Sequence, residues 1–381
     1  MKDIKIVIAV DSFKGSATSK EVSEYIEQGI RKFRNENITI KKIGVADGGE
    51  GTVETIVDAV NGEYKTLTVQ GPLGAPVTAR FGVIHGNIAV MEMAESSGIN
   101  LVKREELNPY KASTYGVGQM LKEAFDMGIR DIYIGLGGSA TNDGGAGMLA
   151  SLGVRFYDKE GKDIGYIPEE LQKIAKVDTS NLDPRVLESK ITVLSDVRNT
   201  LCGENGASYI FGPQKGASPE DVKVLDKVLE NYGNIIDTYT GREYSKEPGS
   251  GAAGGLGYAL LSICKADFKE GIVKIMELIQ LEDYIKDADL VITGEGRIDN
   301  QSVNGKAPVG IAKTAKKYGI PVIAIVGSSD RDLRDIYGSG IDLVLDIVNE
   351  PMNLDKAIRN VKPLLEFTGE KAIRAFCLGN N

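Results

Sequence analysis

Imidazole is almost missing from this chain of 381 residues: its one histidine, His85, stands in Ile84-His-Gly-Asn87, a turn between two apolar strands. A Ser-His-Asp hydrolase or a histidine-ligated zinc centre needs imidazole at the reacting atom or the metal, and a turn residue serves neither. Thiol chemistry is equally thin. Cys202, Cys264 and Cys377 lie far apart, odd in number and without metal-ligand spacing, which suits structural residues in a reducing compartment. Positive charge is not in excess either, since 45 Lys and Arg face 54 Asp and Glu for a net charge of −9. That balance argues against a nucleic-acid or anionic-membrane partner, so an anionic ligand would need local Lys, Arg, backbone N–H groups or a metal ion. No apolar run approaches the roughly 18 residues of a membrane span. The opening Met1-Lys-Asp-Ile-Lys-Ile-Val-Ile-Ala-Val10 is interrupted too early for a signal peptide, and a cytoplasmic location is expected. Oligomeric state leaves no trace in the sequence.

Glycine, by contrast, is abundant, with 46 residues. The densest patch is Gly135-Leu-Gly-Gly-Ser-Ala-Thr-Asn-Asp-Gly-Gly-Ala-Gly147, placed directly after the apolar run Ile132-Tyr133-Ile134. A turn so poor in side chains lets another group approach the backbone, and its N–H groups, with a helix predicted from Ala146, suit a phosphate. Asp47-Gly-Gly-Glu-Gly51, Gly249-Ser-Gly-Ala-Ala-Gly-Gly-Leu-Gly257 and Gly294-Glu-Gly-Arg-Ile-Asp299 repeat the theme at the ends of apolar runs. Ligands in α/β proteins bind at strand ends, so several of these loops are expected to share one ligand; the plainer alternative is that each glycine serves a tight strand-to-helix turn.

The order of elements predicts the architecture. Strands at Ile4 to Val10 and Ile38 to Val45 alternate with helices at Ser19 to Phe33 and Glu50 to Val60, with Thr18 or Ser19 as N-cap. From Tyr64 the pattern changes to short alternating strands, Lys65 to Val69, Val77 to Val83 and Ile88 to Met93, an antiparallel meander. A surface helix is expected from Pro219 to Tyr239, and Gly161 to Pro184 reads as a loop with a short helix. The βα alternation resumes with strands Leu290 to Thr293, Val322 to Val326 and Leu343 to Ile347, then a helix from Leu354 to Phe376. The expected fold is therefore α/β: a discontinuous Rossmann-like parallel-sheet domain, residues 1–64 plus 285–381, interrupted by an inserted α/β domain, residues 65–284, with the site in the interdomain cleft.

Carboxylates beside glycine loops (Asp11, Asp47, Glu50, Asp143, Asp196, Glu295 and Asp299) fit Mg²⁺ and phosphoryl transfer, because Mg²⁺ takes hard oxygen ligands and bridges to phosphates. No G-x-x-x-x-G-K-[ST] loop, protein-kinase set or true dinucleotide fingerprint is present. The chain instead resembles the bacterial glycerate kinases of the type-I class. The resemblance rests on Asp11-Ser-Phe-Lys-Gly-Ser16, Ala46-Asp-Gly-Gly-Glu-Gly-Thr52, Gly71-Pro-Leu-Gly74, Glu92-Met-Ala-Glu-Ser-Ser-Gly98 and the loop from Gly135 to Gly147. Phe211-Gly-Pro-Gln-Lys-Gly-Ala217, Gly249 to Gly257 and Ile292-Thr-Gly-Glu-Gly-Arg-Ile-Asp299 complete it in the family's order. Departures are confined to Ser195, where the family often has Cys, and Thr200, where Pro often follows Asn199.

The resemblance implies ATP-dependent phosphorylation of D-glycerate, most often to 2-phosphoglycerate. Glycerate carries a carboxylate and two hydroxyls, so its site should pair a cation with a base. Lys14 and Arg297, with Arg297 the better geometric match, are expected at the carboxylate. Asp196, Asp47, Glu295 and Asp299 are the candidates for base and Mg²⁺, with Asp196 foremost as base and Glu295 and Asp299 as metal ligands. Asp47 and Asp143 serve equally well as helix N-caps. Gly137, Gly138, Ser139, Thr141 and Asn142, with Gly251 and Gly254, are expected to hold nucleotide phosphates, and Lys215 and Lys306 to supply cations. Two rival readings stay open: a kinase for another small sugar acid or polyol, and a non-catalytic sensor of a phosphorylated metabolite.

Overall fold

The computed structural model describes residues 3–33, 37–46, 49, 51–299, 302 and 306–378. Among them the strands are, in chain order, β1 (Ile4–Val10), β2 (Ile38–Gly44), β3 (Glu63–Gln70), β4 (Pro76–Ile84), β5 (Ile88–Glu92), β6 (Asp131–Gly135), β7 (Arg155–Tyr157), β8 (Lys176–Asp178), β9 (Lys190–Leu194), β10 (Asp267–Lys269), β11 (Leu290–Ile298), β12 (Val322–Ser329) and β13 (Leu343–Asp346). The protein is α/β with two main sheets. The first, ordered β13-β12-β11-β1-β2, is parallel throughout and is built from both ends of the chain. The second, β10-β9-β6-β5-β4-β3, is mixed: β3, β4 and β5 pair antiparallel, whereas β5, β6, β9 and β10 run parallel.

The described residues divide into two compact units, 1–47 with 272–381 and 48–271. These limits differ from the expected boundaries at 64/65 and 284/285 for packing reasons. The helix Thr52–Val60 lies on the second sheet, close enough that a Cβ on Gly82 of β4 would sit 2.2 Å from a Val57 methyl. The helix Gly271–Leu278 presents Ile272 and Met276 to Gly310 of the helix Ala307–Lys316, and so belongs with the first sheet.

Local sequence explains most of the elements. The helix Ser19–Phe33 starts on a capping box: Thr18 Oγ1 accepts from Glu21 N at 3.2 Å, and Glu21 Oε2 accepts from Thr18 N at 2.9 Å. Its buried Val22, Ile26 and Ile30 pack with the apolar residues of β1, β11 and the helix Val361–Leu378 in one core. The two helices cross closely because Gly29 leaves room for Glu366 O, which would be 1.9 Å from a Cβ there. The helix Pro219–Thr240 has a second capping box, Ser218 with Asp221, and closes on Gly241 in the left-handed region. His85 and Gly86 have φ of 49° and 77°, the left-handed pair of a tight turn closed by Asn87 N donating to Ile84 O at 3.3 Å, within the three-residue connection between β4 and β5. Within Gly161 to Pro184 the short helix is Pro168–Leu171, and the antiparallel ribbon β7-β8 flanks it. Three-residue strands are too short to show alternation, which is why the sequence did not announce them. The expected C-terminal helix is two helices, Leu354–Arg359 and Val361–Leu378.

Candidate active site

Register places the motifs. In the second unit Glu92 of β5, Gly135 of β6 and Leu194 of β9 stand side by side, so the segments that follow leave one edge of the sheet. The segment after β5 binds the glycine loop directly: Ile99 N donates to Gly138 O at 2.8 Å and Ala140 N to Ser97 O at 3.0 Å. From the other side the 249–257 motif closes on the same loop, with Gly144 N donating to Gly254 O at 2.9 Å. Residues 253 to 255 all take positive φ, and a Cβ on Gly254 would lie 1.9 Å from Thr141 O. Only a residue without a side chain permits that approach. Gly251 N donates to Asn199 O at 2.9 Å, bringing in the segment after β9.

Lys215 completes this cluster. It is 1% exposed, and its Nζ donates to Ser139 Oγ at 2.8 Å and to Thr141 O at 2.7 Å. Burial drives its ammonium down to about 7, against a smaller upward pull from Asp143. Asn142 is wholly buried; its Nδ2 donates to Ser208 Oγ at 2.9 Å, while its Oδ1 has no partner. The structure thus gathers Gly137, Gly138, Ser139, Thr141, Asn142, Lys215, Gly251 and Gly254 around one loop.

Access is confined to one end of that loop. Gly138 is exposed and Gly137 half-buried, whereas 139 to 147 are buried. Five N–H groups of the buried stretch are already used: Ala140 donates to Ser97 O, Gly144 to Gly254 O and Ala146 to Asp143 O, and Gly145 and Gly147 donate to the Asp143 carboxylate at 3.1 and 3.2 Å. Asp143 also accepts from Thr114 N and Oγ1, both at 2.8 Å. Burial raises its pKa and these four bonds lower it. Its bonds from Gly145 N and Gly147 N tie down the start of the helix Ala146–Ser151, whose N-cap residue is Gly145. The loop is therefore accessible at Gly137 and Gly138, near its start.

Asp196 stands two residues beyond β9, exposed, with its Oδ1 accepting from Gly271 N at 3.1 Å. Like the glycine loop, it follows the carboxyl end of a parallel strand in the second sheet.

The remaining candidates belong to the first unit, where β11 and β12 end together, beyond the last pair of β1, Val10 with Gly294. After β1 the chain turns tightly, Ala17 N and Ser16 N donating to Phe13 O, with Lys14 exposed at the tip. A Cβ on Gly296 would lie 3.7 Å from Phe13 Cα and 3.8 Å from Lys14 N, so this turn rests on the end of β11. There Arg297 pairs with Asp330 at 3.1 Å and with Asp299 at 4.0 Å. Glu295, 9% exposed, accepts from Ser302 Oγ at 2.9 Å and pairs with Lys306 at 3.3 Å; Lys306 lies 3.8 Å from Asp299. Burial lifts the Glu295 carboxyl and Lys306 pulls it back. Lys14, Arg297, Glu295, Asp299 and Lys306 are thus neighbours at one end of the parallel sheet. Asp47 lies outside the described residues.

The donors here are hard oxygens. Two carboxylates, the Ser302 hydroxyl and Thr293 Oγ1, which is buried without a partner among the described residues and lies on the same side of β11 as Glu295, are a donor set that would suit a magnesium ion. Among the described residues no three or more His, Cys, Asp or Glu side chains gather as a metal cage. Sequence reasoning missed Ser302, Thr114 and Ser208, whose hydroxyls hold the key carboxylates and Asn142. A lone serine or threonine gives no signal in sequence. Glu92 was legible only as part of a motif, and its carboxylate caps the helix Thr52–Val60 by accepting from Gly51 N and Val53 N.

Glycine loops follow parallel strands in the second unit and acids with cations follow parallel strands in the first, and these are the groups that phosphoryl transfer uses. Comparison with known proteins narrows the class. Residues 6–377 match the model of the glycerate kinase family. A glycerate kinase of Halalkalibacterium halodurans is 46% identical over 362 residues, 95% of each chain. The glycerate 2-kinase of Escherichia coli is 44% identical over 357 residues, 93% of each chain. A crystal structure of a candidate glycerate kinase 2 from Salmonella typhimurium superposes with a TM-score of 0.86 at 41% identity, covering 100% of both chains. The chain belongs to the glycerate kinase family; it is an enzyme with glycerate kinase activity, and membership of a kinase family implies the use of ATP. None of its described helices is long and apolar enough to cross a membrane.

Proposed function

We propose that this enzyme transfers the γ-phosphoryl group of ATP to the 2-hydroxyl of D-glycerate, giving 2-phosphoglycerate and ADP. The observation that carries this reading is full-length similarity to a protein named glycerate 2-kinase, in a chain whose motifs gather at strand ends. The phosphates rest on the open end of the glycine loop, Gly137 to Ser139, backed by Thr141, Asn142 and Lys215 and braced by Gly251 and Gly254. Arg297, with Lys14, holds the glycerate carboxylate, since a guanidinium matches a carboxylate in a fork. Asp196 takes the proton of the reacting hydroxyl, and Asp47 is the alternative base. Glu295 and Asp299 hold Mg²⁺, which neutralises phosphate charge when bound, and Lys306 supplies a further cation. Little covalent work is left to the protein, so positioning and charge dominate. The parallel unit is Rossmann-like, and the enzyme works in the cytoplasm, with small-molecule partners and neither nucleic acid nor membrane.

Phosphorus NMR of the product formed from D-glycerate and ATP tests the regiochemistry. The 2-phosphate is expected, and a 3-phosphate would overturn it. A panel of other hydroxy acids and polyols tests the acceptor, with D-glycerate expected to give the highest kcat/KM.

A further inference from the structure

Lys215 is an unusual burial. Its ammonium meets two neutral acceptors, Ser139 Oγ and Thr141 O, and has no ion-pair partner among the described residues. Asp143, on the same glycine loop, is the ionisable group that acts on it, and does so without touching it; Asp143 acts in turn on the buried Tyr232 hydroxyl of the helix Pro219–Thr240. The helices Ala207–Phe211 and Ala252–Ser262, which pack against the loop, bring tyrosines but no acid or base. A cation shut away from water with only dipoles around it is costly, and the cost is relieved either by losing the proton or by acquiring an anion. An anion has one open approach. Gly137 and Gly138, accessible where the rest of the loop is not, adjoin the Ser139 hydroxyl that Lys215 holds.

Resting on the reading of this loop as the phosphate seat, we infer that Lys215 is a positioning residue whose charge is completed by the nucleotide. The phosphate arriving at Gly137 to Ser139 draws one proton from solvent onto the Lys215 amine, and the resulting ammonium locks Ser139 and Thr141 around it. The empty protein holds Lys215 near half-protonation at neutral pH, in keeping with its lowered value of about 7. Binding therefore becomes proton-linked, and it weakens as pH rises through the neutral range and beyond.

Isothermal titration of the full-length enzyme with MgADP, in buffers of different ionisation enthalpy, measures the protons exchanged. Uptake of most of a proton per nucleotide is expected at pH 8 and of a small fraction at pH 6.5. Lys215→Arg, charged throughout, is expected to bind with no uptake and with affinity flat across that range; Lys215→Met is expected to bind more weakly, also without uptake. If Lys215→Met melts early and cannot be titrated, the wild-type pH series and Lys215→Arg carry the test. Wild-type binding without uptake, or uptake that persists in either variant, overturns the inference. Gly137→Glu separates this from the underlying reading. A carboxylate at the open end should abolish MgADP binding, and undiminished binding in that variant removes the phosphate from this loop altogether.

Discussion

Single side chains in this protein are read through what surrounds them. Arg297 is exposed and shares its charge with Asp330 and Asp299, so it is a poor stabiliser and a good anion hand: exposed ion pairs contribute little, while a guanidinium–carboxylate fork is strong. Arg297→Ala is expected to raise KM for glycerate by about tenfold to a hundredfold, with kcat within a few-fold and the melting temperature unmoved. Steady-state kinetics with a thermal melt check this, and an unchanged KM removes Arg297 from the carboxylate site. Lys215 is the reverse case, buried and held near 7 by burial, against about 10.4 in an unfolded chain. Between those values the unfolded chain binds more protons than the folded one, so the cost of burying this residue shrinks as pH rises across that window and is constant below it, where both states are protonated. Denaturant titrations at pH 7 and pH 9.5 are expected to show a stability gain on going to alkaline pH that is smaller in Lys215→Met than in the wild type.

At the scale of elements, the glycine loop depends on the 249–257 motif that closes over it. Gly254→Ala forces a methyl group onto Thr141 O and a left-handed backbone onto alanine, beside Ala253, which already occupies that region. A loss of more than about 2 kcal/mol is expected, together with weaker nucleotide binding; a variant as stable as the wild type would show that the two motifs do not brace one another. Long amphipathic elements such as Ser19–Phe33 and Pro219–Thr240 were legible because their caps and apolar spacing are written locally. So was the glycine loop, because its composition is itself the signal. The ribbon β7-β8 was hidden by its brevity. The placing of Thr52–Val60 on the second sheet was hidden because it is decided by Glu92, forty residues downstream, reaching its first N–H groups. Lys215 was read from its motif as a cation, but its depth of burial is a tertiary fact. Lys306 pairs with Glu295 and Asp299, eleven and seven residues before it.

For the whole molecule, the proposed function has an acidic chain bind two anionic substrates through cations kept at strand ends, with the acids beside them arranged for proton and metal work. Net charge of −9 gives no general attraction for ATP or glycerate, so local groups must supply all of it. Under the proposed function Asp196, exposed just beyond β9, is the group that takes the proton of the reacting hydroxyl. The most direct measurement is ADP release from ATP in the presence of D-glycerate, compared between the wild type and Asp196→Asn. The account predicts glycerate-dependent turnover in the wild type and a fall of about a hundredfold to ten-thousandfold in kcat for the variant, with both KM values little changed. Undiminished turnover in Asp196→Asn, with the protein otherwise intact, would contradict it.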